Sequence, residues 1–215
     1  MTARPALPAM LAETRIVAIV RRYAPATAVA LVGAFVSGGV RVVECTVDSE
    51  GVFSTIERLR SRFPDVAVGA GTVLSLESAR QALDAGATFL VTPHTDPRLV
   101  AFAAEEGVPI LAGAATASEA VLAWREGAAA VKLFPAGPLG PATLRALREP
   151  LPHIDFVAVG GVSAGNAPEF LEAGAVAVGI ASWLTAGGDI SLAASRAHEL
   201  VVGLARPDGG AVAGA

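Results

Sequence analysis

Glu126-Gly127-Ala128-Ala129-Ala130-Val131-Lys132-Leu133-Phe134-Pro135 closes one kind of structure and opens another. The acidic residue and glycine end a helical stretch, because glycine takes the left-handed conformation past the last turn without the clash that a Cβ brings. The apolar run after them reads as a short buried strand. The phrase recurs at Gly38-Gly39 before Val42-Val43-Glu44, Ala85-Gly86 before Phe89-Leu90-Val91, Glu106-Gly107 before Pro109-Ile110-Leu111, and Ala173-Gly174 before Val176-Ala177-Val178. Three further apolar runs, Ile16–Val20, 66–69 and Phe156–Val159, are each followed by a helix-like segment, which makes eight strands alternating with helices.

Strands that are short and almost continuously apolar belong in a parallel sheet covered on both faces. Eight such units in 215 residues, about 27 residues each, predict a compact closed (β/α)8 barrel, the TIM-barrel class of α/β fold. A doubly wound open sheet is the alternative, but Val20-Arg21-Arg22-Tyr23 stands after the first strand where a glycine-rich dinucleotide fingerprint belongs. The reading is one barrel domain over residues 1–205, with residues 6–13 forming a short helix at the barrel floor. Residues 206–215, rich in Gly and Ala, read as a flexible tail.

Composition narrows the function. With 53 % apolar and 17 % charged residues, the chain has a core to bury and is not of the disordered class. A formal charge of -4 with no Lys/Arg-rich stretch argues against nucleic acid as a partner. Mean hydropathy is +0.57, yet the uncharged stretch 173–188 is broken by glycines and falls short of the roughly 20 residues a membrane helix needs. Cys45 is the single cysteine and the N-terminus carries no secretory pattern, so a reducing cytoplasm is the expected location.

In such a barrel, chemistry is built where strands end and βα loops begin. Glu44 and Lys132 lie five residues past Gly39 and Gly127 respectively, equivalent places near the ends of strands two and six. A lysine on a buried strand cannot snorkel to water, and the neutral amine is the form that attacks a carbonyl to make a Schiff base. A carboxylate beside it is suited to moving protons through carbinolamine formation, dehydration and carbon-carbon cleavage. The bland reading is a structural ion pair between Glu44 and Lys132 or Arg21. Alternation puts Glu44, Thr46 and Asp48 on one side of the strand and Cys45 on the other, which makes Cys45 core packing. Gly160-Gly161-Val162-Ser163 and Gly179-Ile180-Ala181-Ser182 fall where barrels commonly bind phosphate with backbone N–H groups, so the substrate is expected to be phosphorylated. Thr72, Thr92 and Thr116 offer hydroxyls at other strand ends, for a ligand or for helix caps. His94 alone among three histidines lies near a strand end; Glu44, Asp48 and His94 would have to converge for a metal-assisted phosphosugar epimerase or lyase, which would leave Lys132 without a role. His153, His198, Trp124 and Trp183 read as surface or packing residues.

Val43-Glu44-Cys45-Thr46, Gly69-Ala70-Gly71-Thr72-Val73, Val131-Lys132-Leu133-Phe134-Pro135 and Val159-Gly160-Gly161-Val162-Ser163 together resemble the class I 2-keto-3-deoxy-6-phosphogluconate aldolase family, which includes phosphogalactonate and 4-hydroxy-2-oxoglutarate members. The likeness spans about residues 16–204. It implies a cofactor-free aldolase whose Lys132 forms the Schiff base with pyruvate and whose Glu44 is the general acid/base. It also implies pyruvate-pocket roles for Arg21, Thr72, Pro93 and Thr116, phosphate contacts from Gly160, Gly161 and Ser182, no metal ligands, and a homotrimer. Asp48 departs from the pattern: gluconate-type members carry Arg there and Thr at the place of Val159, whereas galactonate-type members carry Asn and Val. The implied reaction is reversible cleavage of a 2-keto-3-deoxy-6-phospho sugar acid to pyruvate and glyceraldehyde 3-phosphate, with a 4-hydroxy-2-oxoglutarate or related pyruvate aldolase as the alternative. A non-catalytic phosphosugar-binding barrel is the remaining reading, with Asp48 as its one supporting feature.

Overall fold

A computed structural model describes residues 4–205; the expected tail, 206–215, lies outside the described residues. Eight parallel strands close on themselves in chain order. They are β1 (Ile16–Val20), β2 (Val42–Thr46), β3 (Ala67–Gly71), β4 (Leu90–Val91), β5 (Ile110–Ala114), β6 (Ala130–Leu133), β7 (Phe156–Val159) and β8 (Ala177–Ile180). Closure is made by β1 against β8, with Val17 opposite Gly179. Around the barrel run α2 (Pro25–Ser37), α3 (Val52–Arg62), α4 (Leu76–Asp84), α5 (Pro97–Glu105), α6 (Ala117–Glu126), α7 (Ala136–Arg148), α8 (Ala167–Glu172) and α10 (Ile190–Leu204); α1 (Ala9–Thr14) precedes β1, and the short α9 (Ser182–Thr185) follows β8.

The glycines of the recurring phrase do what the sequence asks of them. Gly39, Gly86, Gly107, Gly127 and Gly174 all have positive φ. Gly38 serves packing instead: a Cβ there would lie 2.5 Å from Ala197 Cβ, so its absence lets α2 and α10 meet.

Every strand is buried along its length, and its side chains divide between two clusters. Outward residues such as Ala18, Val43, Cys45 and Val131 pack against the helices. Inward residues Val17, Val42, Ala67, Phe89, Leu111, Ala130, Val157 and Ala177 fill the barrel, and Leu11 of α1 joins them. The floor helix expected over residues 6–13 forms as α1 over Ala9–Thr14, held by an apolar side chain. Among the described residues no helix is long and apolar enough to cross a membrane.

Candidate active site

The inward set continues toward the other end of the barrel. Two residues beyond Val42 the same face of β2 presents Glu44, and two beyond Ala130 the same face of β6 presents Lys132. Glu44 stands in register with Ile19 and Gly69, and Lys132 with Gly113 and Val157. Their exposures are 1 % and 3 %, yet both line one cavity of about 620 Å³ at the C-terminal ends of the strands. Glu44 Oε1 is buried without a hydrogen-bond partner, and Glu44 makes no ion pair among the described residues, so the structural ion-pair reading does not hold for this conformation. The carboxyl rests on the backbone of Gly71, where any Cβ would overlap Oε1. Lys132 Nζ lies 5.1 Å from the centre of the Phe134 ring, a geometry in which the aromatic face favours a cation.

Arg21 and Arg22 enter from the loop after β1. Arg21 Nη2 donates to Thr72 Oγ1 at 2.8 Å, and Arg22 Nε donates to Asp48 Oδ2 at 2.8 Å. Asp48 lies 4.0 Å from Arg21 Nε as well, so the carboxylate that departs from the family pattern is paired. Burial pushes the Asp48 carboxyl up, but the Thr46 hydroxyl and the charges and hydrogen bonds of Arg21 and Arg22 outweigh it and hold the group below its ordinary value.

Of the residues singled out in the sequence, Arg21, Glu44, Lys132, Gly160, Gly161 and Ser182 line the same cavity. Gly160 and Gly161 both have positive φ, and a Cβ on Gly160 would lie 2.9 Å from the Phe134 ring. Thr72 reaches this group through Arg21. Pro93 and Thr116 do not line the cavity. Pro93 abuts Gly113 of β5, where a Cβ would overlap its backbone. Thr116 is the N-cap of α6 in a reciprocal capping box with Glu119.

The sequence reading left out Phe134, Arg22, Tyr23 and Trp183 as cavity-lining residues. Phe134 and Arg22 each adjoin a residue that was singled out, so proximity in the chain was the available signal. Cys45 faces the helices as expected; burial, followed by the Glu44 charge, pushes its thiol up to about 12. His94, His153 and His198 are exposed. Among the described residues no three His, Cys, Asp or Glu side chains come together in a group that could hold a metal ion, so Glu44, Asp48 and His94 do not converge.

The family model described as KDPG and KHG aldolase matches residues 7–195. The chain belongs to this family. It is 37 % identical over 187 residues to the 2-dehydro-3-deoxy-phosphogluconate aldolase of Treponema pallidum (strain Nichols), covering 84 % of this chain and 89 % of that one. It is 34 % identical over 189 residues to the 2-dehydro-3-deoxy-6-phosphogalactonate aldolase of Escherichia coli (strain K12), covering 86 % and 92 %. Among solved structures, the KDPG aldolase of Legionella pneumophila with pyruvate captured at low pH as a covalent carbinolamine intermediate superposes with a TM-score of 0.82 at 27 % identity, covering 92 % and 97 %. The protein is therefore an aldolase of the KDPG/KHG family, and the relatives do not distinguish gluconate-type from galactonate-type substrate.

Proposed function

We propose that the protein cleaves a 2-keto-3-deoxy-6-phospho sugar acid reversibly to pyruvate and glyceraldehyde 3-phosphate, through a Schiff base on Lys132. The observation that carries this reading is the placement of Lys132 and Glu44, both buried and both inward, in one cavity that is open to solvent. In the cleavage direction the Lys132 amine adds to the C2 ketone, and Glu44 supplies the proton that lets the carbinolamine lose water as an iminium. The electron-poor iminium accepts the C3–C4 bonding pair when the C4 hydroxyl gives its proton to Glu44. This releases the aldehyde and leaves an enamine of pyruvate. Protonation at C3 and hydrolysis then free the lysine.

The unpartnered Glu44 Oε1 supports the proton-carrying role, because a water or a carbinolamine hydroxyl would supply the hydrogen bond it lacks. Phe134 supports the iminium role through its ring face toward Nζ. By family resemblance, Arg21 and Thr72 hold the pyruvate half, and Gly160, Gly161 and Ser182 hold the phosphate; Pro93 and Thr116, which the same resemblance assigns to the pyruvate half, lie outside the cavity lining. The working unit on the same ground is a homotrimer of the 1–205 barrel, and the single cysteine, Cys45, fits a reducing cytoplasm. A 4-hydroxy-2-oxoglutarate activity is the second reading, and the relatives' mixed substrates are what favour it.

The test is borohydride reduction in the presence of pyruvate, followed by peptide mass spectrometry, with and without chelator. A pyruvate adduct on Lys132 in wild type, indifferent to chelator and missing in Lys132→Ala, is the expected result. A folded wild type with no adduct would overturn the imine mechanism.

A further inference from the structure

Two arginines line the cavity, and they are held differently. The Arg21 side chain is turned toward β3 by its bond to Thr72. Arg22 is fixed at three points: a left-handed backbone with φ 57, its N–H donating to Ser49 Oγ at 2.8 Å, and its Nε donating to Asp48 Oδ2 at 2.8 Å. Ser49 Oγ in turn lies 3.2 Å from Thr46 Oγ1, so the anchor runs back to the end of β2. A guanidinium is planar, so a bond at Nε fixes the direction of the opposite edge. The two Nη groups on that edge have no hydrogen-bond partner among the described residues.

Depth decides what this edge can meet. The Arg22 side chain is 73 % exposed at the cavity mouth, whereas Lys132 is 3 % exposed at the bottom. A substrate joined to Lys132 through C2 extends from the buried end of this cavity toward its exposed rim, and Arg22 is one of the residues on that rim. Asp48 does not line the cavity and stays behind the guanidinium. A forked pair of N–H donors backed by a carboxylate suits a phosphate monoester, which accepts two parallel charge-assisted bonds.

We infer that Arg22 reads the phosphate-bearing end of the substrate and sets the preference for phosphorylated over unphosphorylated aldehydes, with Asp48 as the positioning residue that aims it. This rests on the proposed aldolase reading and adds to it a specificity-determining pair outside the glycine loop.

The experiment measures condensation of pyruvate with glyceraldehyde 3-phosphate and with glyceraldehyde, taking the ratio of the two kcat/KM values. Pyruvate adduct formation on Lys132 is followed separately. Relative to wild type, Arg22→Ala lowers the ratio by about tenfold or more, mainly through KM for the phosphorylated aldehyde. Asp48→Ala lowers it by roughly threefold to tenfold, and Asp48→Asn restores most of it because the amide oxygen still accepts from Nε. The double variant is no worse than Arg22→Ala, since Asp48 acts through Arg22. Equal ratios in wild type and Arg22→Ala, with wild type preferring phosphate, overturn the inference and leave the aldolase reading standing. A rise in the ratio for Asp48→Ala, or additive losses in the double variant, overturns the positioning role. A wild type with no adduct fails the aldolase reading itself, and one that forms the adduct but ignores the phosphate fails the phosphorylated-substrate reading and this inference together.

Discussion

The two ends of the barrel interior are built by the same strands and do opposite work. At the floor, Val42 of β2 and Ala130 of β6 join Val17, Ala67, Leu111, Val157 and Ala177 in an apolar layer that Leu11 of α1 closes. One alternation further along, those two strands carry Glu44 and Lys132, and glycines stand at 71, 113 and 179. The floor gains stability by removing apolar area from water. The mouth forgoes part of that gain, since buried charges without well-placed partners are unfavourable. The comparison teaches that stability and chemistry in this fold are separated by one step along the strand, so variants at the two layers should fail in different ways.

The largest expected effect comes from removing the mouth's charges. Lys132→Met keeps much of the side-chain volume and takes away the amine: turnover falls to background, and the melting temperature stays level or rises because a buried polar group is gone. Glu44→Gln keeps the shape and loses the proposed proton carrier; kcat is expected to fall by about 10²- to 10⁴-fold while the pyruvate adduct still forms slowly. Steady-state kinetics and thermal melts on the same samples check both, and a melting temperature that collapses with activity would contradict the separation.

Gly71→Ala probes the mouth by sterics alone. Its Cβ would overlap Glu44 Oε1, so the carboxyl must move while every titratable group is retained. The expected loss in kcat is about 10- to 100-fold, with overpacking costing about 1–3 kcal/mol in a denaturant titration. Adding Gly71→Ala to Glu44→Gln should lower kcat little further, since both act on one group.

How much of this was legible in the chain follows the same division. The glycine-capped phrase marks β2, β4, β5, β6 and β8 because a helix C-cap followed by a buried strand is a local pattern. Glu44 and Lys132 are legible because charges interrupt apolar runs. The end of β3 is legible only in part: the apolar run 66–69 stops short of Gly71, where the strand ends, because the Phe89 ring fills the space above Gly69 and Glu44 fills that above Gly71. Local propensity cannot report side chains that arrive from strands 20 or more residues away. Asp48 beside Arg22 is legible only as a choice of partners, and the fold selects Arg22 at 2.8 Å over Arg21 at 4.0 Å.

The floor supplies the converse experiment. Leu11 is 3 % exposed and seals the apolar layer from α1. Leu11→Ala should cost about 2–4 kcal/mol, from lost transfer energy plus the space left behind. Its kcat, measured well below the melting temperature, should stay close to wild type. A large fall in kcat at full folding would mean that the two layers are coupled.

The smallest effect, at Thr116, sharpens the boundary between the layers, because resemblance makes the residue part of the pyruvate pocket and geometry makes it a cap. Its Oγ1 donates to Glu119 Oε2 at 2.7 Å and accepts from Glu119 N at 3.3 Å, while the N–H groups of Ala115 and Thr116 each donate to the same carboxylate oxygen at 2.9 Å. The Ala115 N–H and the Thr116 hydroxyl, against a smaller opposing effect of burial, hold the Glu119 carboxyl below its ordinary value. A carboxylate with a lowered folded value stabilises above its unfolded value, and that contribution is lost as pH falls through the folded one. Thr116→Ala should therefore cost about 1 kcal/mol near neutral pH, and less at a pH below the lowered folded-state value of Glu119, where the carboxyl is protonated in both states. Thr116→Ser, which keeps the hydroxyl, should restore the loss. Denaturant titrations at the two pH values read the cap, and the pyruvate concentration at half-maximal borohydride trapping reads the pocket. A shift in the second that Thr116→Ser also restores would assign the hydroxyl to both layers, whereas a stability loss alone leaves it with the scaffold.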